Sequence, residues 1–386
     1  MVQSITPAQI REHNKNRIYE LIYKQGHKGI SQQEISSALN ISRPTVAYNL
    51  RELHKEGLII HENLQTEQSQ TAGRKPIIWA ANSDHKIAIG VEILRETVKI
   101  IAINLYAEKI NREVIKIEFK NDESYFKYIS ERVKKFIDSL TLKQAAKKIL
   151  GIGFALQGLV SEDGQTVIYG EILKCTGLKI EVFTKWLDYP CMFVHEPDGA
   201  ALSELWVSPE LRDAIYLSMS VHLGGAVIRD RKVMNGIHRH SATFEHIRAK
   251  DEDGDLCYCG LRGCVETVCS MTALIGEGKN PDKFFERVRA NKPKESKRWK
   301  IFLEYLARLI TNLHLIIDTK YILGGHLAPY FTDKDVKFLY DKIRENTPFI
   351  ESDDFILISK MPSHNITIGA ALPYIMKFLK TFGFSN

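Results

Sequence analysis

At 386 residues the chain exceeds one ordinary domain, and a hydrophobic content of 44% is ample for two or three cores. Charged residues make up 26% and the net charge is +6, a soluble composition that permits a nucleic-acid partner without requiring one. Residues 1–16 are polar and no apolar run reaches the roughly 18–20 residues of a bilayer span, so a cytoplasmic protein with no signal peptide and no membrane contact is expected.

The basic surplus is denser in the first 82 residues, where three helices are predicted. The first covers residues 6–25, starts at Thr6-Pro7 and carries the stripe Ile10, Ile18, Leu21, Ile22. Ser31 caps the second, with Glu34 three residues on completing a capping box, and Asn40 closes it. The third starts at Ser42 and tolerates Pro44 in its first turn. Its residues Val46, Leu50 and Leu53 face inward, leaving Arg43, Pro44, Thr45, Tyr48 and Arg51 outward. Two strands follow, 58–61 and 77–80, joined by a polar loop with a basic tip, Gly73-Arg74-Lys75-Pro76. A helix-turn-helix followed by such a hairpin is a winged helix. Its third helix would enter a DNA major groove, and Arg74 with Lys75 would reach a narrow minor groove. A winged helix used for protein contacts is the competing reading.

From residue 83 the pattern changes. Strands are predicted at 87–93, 98–105 and 113–119, a helix at 124–139, and a buried strand at 149–155 that leads to a glycine turn at Gly158. The scheme recurs loosely, with strands at 213–218, 225–229 and near Val233, a helix at 298–314, a strand at 321–325 and a last helix at 368–382. Two such α/β lobes normally enclose a ligand between them.

Inside the second lobe lies Cys257-Tyr258-Cys259-Gly260-Leu261-Arg262-Gly263-Cys264-Val265-Glu266. Three thiols within eight residues, spaced by two glycines, favour chelation of one zinc ion over a disulfide or free buried thiols, with His246 as the fourth ligand. Cys175, Cys191 and Cys269 are scattered and read as ordinary buried thiols.

The cysteine cluster, the repeated lobes and the winged helix together resemble the ROK family of repressors and sugar kinases, over essentially the whole chain. That resemblance implies an α/β fold: an N-terminal winged helix-turn-helix, residues 1–82, followed by a two-lobed actin-like (ribonuclease H-like) domain, residues 83–386. It implies a structural Zn2+ on His246, Cys257, Cys259 and Cys264; His246 follows Gly236 by the family's ten residues. The turn that grips phosphate in the family's kinases is replaced by Glu92-Ile93-Leu94-Arg95-Glu96-Thr97, and the second phosphate loop by Met219-Ser220-Val221-His222-Leu223. Loss of those glycines removes the close backbone approach that phosphate needs, which puts the chain with the regulators; a sugar kinase of the family and a DNA-binding repressor with a vestigial sugar cleft are the competing readings. Carried over from the family, Asp198, His246 and Glu266 match effector-binding positions, Thr243 stands at a family Glu and Pro197 at a family Asn. Gly158 borders the same cleft, and His222, His238 and His240 are further candidates. The implied partners are double-stranded operator DNA, a sugar or sugar derivative, and a second copy of the chain in a homodimer or higher oligomer.

Overall fold

The computed structural model describes residues 6–62, 77–251, 253–349, 352–361 and 364–384. The loop-tip residues Arg74 and Lys75 therefore lie outside the described residues.

The N-terminal helices begin where local chemistry dictates. In Pro7–Lys24 the Thr6 hydroxyl accepts from Gln9 N, and Gln9 Oε1 accepts from Thr6 N at 2.8 Å. Ser31 and Glu34 make the same reciprocal pair at the start of Gln32–Leu39. Each such cap satisfies donors that a helix start leaves bare and contributes about 1 kcal/mol. Asn40 ends the second helix in the left-handed region, at φ 53°. The third, Arg43–Lys55, starts at Ser42 and buries Val46, Leu50 and Leu53 against Ile18, Tyr19, Ile22 and Ile35. Ile10 belongs to the same apolar stripe but is 49% exposed, because the first helix starts well before it reaches the core. The hairpin strands are Ile59–Glu62 and Ile78–Ala81, paired antiparallel. A third strand, Ile30–Ser31, pairs with Ile78–Trp79; two residues are too few to show any periodicity.

The rest of the chain builds two five-stranded sheets of one topology. In the first, Ile87–Ile93, Thr97–Ile103 and Lys109–Lys116 form an antiparallel meander. Ile149–Leu156 then adds parallel to the meander's first strand, and Cys191–His195 parallel to that. In the second, Ala214–Met219, Leu223–Arg229 and Lys232–Met234 repeat the meander, and Lys320–Gly324 and Ile356–Ile358 repeat the parallel additions. This duplicated arrangement is the two-lobed actin-like fold. Ile87–Ile93 and Ala214–Met219 are buried along their whole length, as covered central strands must be.

Four of these elements escape a periodicity reading: the strands Cys191–His195 and Ile356–Ile358 and the helices Glu196–Val207 and Asp333–Asn346. In Glu196–Val207, Pro197 and Gly199 look like breakers. Yet Pro197 occupies the first turn, where its missing N–H costs nothing. Gly199 lies directly against Gly369 of the last helix, Asn365–Lys380.

That last helix returns to the first lobe. Gly90 and Gly153 let it approach: a Cβ on either would lie 1.8 Å from the carbonyl oxygen of Thr367 or Ala370. Its far end reaches the winged helix, where Phe382 packs edge-on to Tyr19 at 4.8 Å and Phe384 to Tyr23 at 5.0 Å. Among the described residues no helix is long and apolar enough to cross a membrane.

Candidate metal centre and ligand cavity

The cysteine segment folds into a tight knot around its sulfurs. Cys257 N donates to Leu261 O at 2.8 Å and Gly260 N to Cys257 O at 2.9 Å. Gly260 and Gly263 take φ of 86° and 73°. At Gly263 a side chain is excluded outright, since its Cβ would fall 2.2 Å from Lys250 O. The result brings one ligand atom each from His246, Cys257, Cys259 and Cys264 within 4.8 Å of one another.

The spacing tests the zinc expectation. Cys259 Sγ and Cys264 Sγ are 3.8 Å apart, as are Cys257 Sγ and His246 Nδ1. A disulfide needs about 2.05 Å. A tetrahedron with Zn–S bonds of about 2.3 Å has edges of about 3.8 Å. Donor set and spacing both fit one metal ion. Cys175, Cys191 and Cys269 are buried elsewhere and form no disulfide; burial pushes the thiols of Cys175 and Cys191 up to about 11 and about 12, with Glu171 adding to the first.

Next to this centre, between the lobes, lies a cavity of about 310 Å³. The first lobe contributes Gln157, Gly158 and Leu159, the Tyr169–Ile172 segment and the helix start His195-Glu196-Pro197. The second lobe contributes Ser218, His222, Leu223, Gly224, His240, Thr243, Glu245, His246 and Tyr258. Gly158 and Thr243 are among these lining residues, with the Thr243 hydroxyl donating to His240 O at 3.0 Å. His246 turns Nδ1 toward the sulfurs and leaves Nε2 3.8 Å from Glu245 Oε1.

Asp198 and Glu266 stand behind the lining. Asp198 is buried in the first turn of its helix, 3.4 Å from His195 Nδ1. Its second oxygen takes a 2.9 Å bond from the Asn235 amide, which in turn accepts from Arg239; the amide orientation is set by these partners. Glu266 accepts from Leu223 N and pairs with His222 Nδ1, both at 2.7 Å. His195 and His222 therefore occupy the positions toward the cavity, each backed by a carboxylate. His238 is not among the lining residues, whereas His240 is.

Three acidic residues in the lining, Glu171, Glu196 and Glu245, were not picked out by sequence reasoning; Glu171 pairs with Lys174 at 2.7 Å. Burial, reinforced by Glu92, pushes the Glu196 carboxyl up to about 7, and burial raises Glu245 to about 7 as well. Glu245 Oε2 has no hydrogen-bond partner. The signal for Glu196 was the adjoining Pro197, which marks a helix start whose first residue faces the cleft. Burial lowers His195, but the adjacent Asp198 outweighs it and leaves the imidazole raised.

The stretch aligned with the first phosphate turn is held by contacts of its own. Glu92, 2% exposed, accepts from Lys99 Nζ at 2.9 Å and from the Thr367 hydroxyl at 2.7 Å. Leu94 N donates back to Thr97 O, so the turn is spent on its own hairpin.

On the winged helix, Arg43, Pro44, Tyr48 and Arg51 are exposed together along one face of the third helix. The Thr45 hydroxyl bonds Ser42 Oγ at 2.9 Å, and Asn49 is buried, donating to Thr45 O. Gln32 donates to Arg43 O at 3.0 Å and so ties the second helix to the start of the third.

The ROK family profile matches residues 88–371, from the first strand of one lobe to the last helix, with the cavity and the cysteine knot inside it. The chain belongs to the ROK family. A winged helix-turn-helix DNA-binding profile matches residues 11–60. The xylose repressor of Caldicellulosiruptor bescii is 27% identical over 253 residues, covering 64% of this ROK protein and 62% of the relative. The DNA-binding transcriptional dual regulator NagC of Escherichia coli K12 is 24% identical over 269 residues, covering 69% and 64%. The matched segments span less than two thirds of either relative. A crystal structure described as a ROK family transcriptional regulator, a homolog of the E. coli MLC protein, superposes with a TM-score of 0.72 at 20% identity over 97% of both chains. At that identity the likeness establishes the fold: winged helix and two ROK lobes in one chain.

Proposed function

We propose that this ROK protein is a cytoplasmic transcriptional regulator in which residues 1–82 bind operator DNA and residues 83–386 bind a carbohydrate effector that alters operator affinity. The third helix would lie in the major groove with Arg43, Pro44, Thr45, Tyr48 and Arg51 near bases and phosphates. The chain would act as a homodimer, since paired half-sites match a two-fold protein, and repression is the expected sign. Asp198 and Glu266 would support the effector through His195 and His222, while His246, Thr243 and Gly158 border it. Zinc on His246, Cys257, Cys259 and Cys264 would supply rigidity, with four protein ligands and no open position for catalysis.

The observation that carries this reading is the route from the cavity to the winged helix. The helix Glu196–Val207 starts in the cavity lining and ends near Trp206, whose Nε1 donates to Tyr106 O at 3.1 Å. The Tyr106 ring lies 4.6 Å from that of Tyr23 on the first helix, and Tyr23 OH donates to Leu105 O at 2.6 Å. A ligand acts on DNA affinity only through different affinities for the two states, and this helix starts at the cavity and reaches the first helix of the winged domain through Tyr106. Sugar phosphorylation is the rival activity; the internal neutralisation of Glu92 speaks against it. Operator binding measured with and without a sugar panel tests the proposal. Sugar-dependent ATP turnover would instead favour a kinase.

A further inference from the structure

The carboxylates around the cavity divide into two kinds. Asp198 lies against His195 and Asn235, Glu266 against His222 and Leu223 N, and Glu171 against Lys174, so each has partners within the protein. Glu196 and Glu245 do not. Both are buried cavity-lining residues, at 5% and 8% exposure. Among the described residues Glu196 forms no ion pair or hydrogen bond through its side chain, and Glu245 Oε2 is enclosed with no partner at all. The Glu245 Oε1 neighbour, His246 Nε2 at 3.8 Å, belongs to a ring whose other nitrogen faces the sulfurs.

No lysine or arginine lines the cavity among the described residues. Lys99 is committed to Glu92, and Arg239 to Val160 O and Asn235. Buried carboxylates of this kind require a cation or hydrogen-bond donors. A second metal ion does not supply one: His246 and the three cysteines are the one metal-holding group found among the described residues. The two imidazoles that face the cavity, His195 and His222, are already engaged by Asp198 and Glu266, so a partner for Glu196 and Glu245 is left to the ligand. The same lining offers nothing to a phosphate, which calls for Arg, Lys or a cradle of N–H groups.

We infer that the cavity selects an unphosphorylated monosaccharide carrying a free, protonated amine, held between the Glu196 and Glu245 carboxylates. This rests on the proposal that the cavity takes a carbohydrate effector. The volume of about 310 Å³ lies at the small end of ligand pockets and suits one sugar ring. The Tyr169 and Tyr258 rings in the lining add faces to which an ammonium is attracted.

The test is calorimetric titration of the full zinc-loaded chain with D-glucosamine, D-galactosamine and D-mannosamine. Each is compared with its neutral parent hexose, its N-acetyl derivative and its 6-phosphate. At least one free amine should bind roughly tenfold or more tighter than its three counterparts, the size of a charge-assisted contact. Glu245→Gln should erase that preference. Because Glu245 adjoins a metal ligand, Glu196→Gln is the second variant, with zinc stoichiometry checked for both; it should also narrow the preference. If a neutral, N-acetylated or phosphorylated sugar binds as well as its amine or better, the inference is overturned while the carbohydrate reading stands. If none of these sugars binds, both are overturned.

Discussion

A carboxylate in the first turn of a helix is ordinarily favoured by the bare N–H groups there. Glu196 has that position, but enclosure and the nearby Glu92 outweigh it and hold its pKa at about 7. A carboxyl whose folded pKa lies above its unfolded value binds more protons when folded. Its contribution to stability is complete below about pH 4.5 and is lost as pH rises through 7, a change on the order of 3 kcal/mol. Thermal unfolding followed across that window should show a falling component in the native chain that Glu196→Gln lacks; identical pH profiles would refute it. At the metal centre, Cys259→Ser removes one of three thiolates. Zinc content should fall below one ion per chain, and the sugar response should vanish while the far-ultraviolet circular dichroism stays native. A variant that keeps one zinc and responds normally would show that the knot has no such role. On the winged helix, Arg51→Ala should weaken operator binding. If Arg51 meets phosphate, the dependence of log affinity on log salt should lose about one unit of slope; if it meets a base, about 1–3 kcal/mol of discrimination should go instead. These residue-level roles were unevenly legible. The three cysteines and His246 stood out by spacing, and the structure brings their ligand atoms together. Glu196 and Glu245 were passed over: Pro197 marked the helix start beside Glu196, but burial without a partner is a property of the fold and leaves no trace in local sequence.

At the scale of elements, helix starts were readable at Thr6, Ser31 and Ser42, where caps announced them, whereas the Thr332–Asp335 capping box of Asp333–Asn346 was missed. The Glu196–Val207 helix was not readable, because a proline and a glycine interrupt its pattern and its burial leaves no polar face to produce one. The two glycines that admit the last helix explain another silence: Gly90 and Gly153 read as strand residues of poor propensity, and their purpose appears only when Thr367 and Ala370 arrive. Gly153→Ala should therefore cost about 3 kcal/mol or more, since the obstacle is backbone and cannot swing aside. A lowered unfolding temperature would register it; a melting curve like that of the native chain would contradict the packing. Coupling is a free energy and not a path. Trp206→Phe keeps the bulk and removes the donor to Tyr106 O. It should leave sugar affinity near its native value and reduce the sugar-induced change in operator affinity, measured by titration on DNA. An unchanged ratio would take this helix out of the coupling.

For the whole molecule, the loose repetition noticed along the chain proves to be a duplication of topology, strand for strand. Sequence reasoning found the meanders and missed the outer parallel strands, which are short and flanked by helices that carry the pattern away. The contact between the C-terminus and the winged helix was invisible for a different reason: Tyr19 and Phe382 meet only because the last helix spans the first lobe. These features place one unit that fits DNA and one that fits a small ligand on a shared framework, with a cysteine knot that fits a metal ion beside the cavity. The most direct test is the affinity of the full chain for its operator, measured by fluorescence anisotropy at fixed salt with and without each sugar of the panel. At least one sugar is predicted to shift that affinity by fivefold or more, the lower end of allosteric coupling at about 1 kcal/mol. Operator binding that no sugar alters, in a chain that still carries its zinc, would contradict the account.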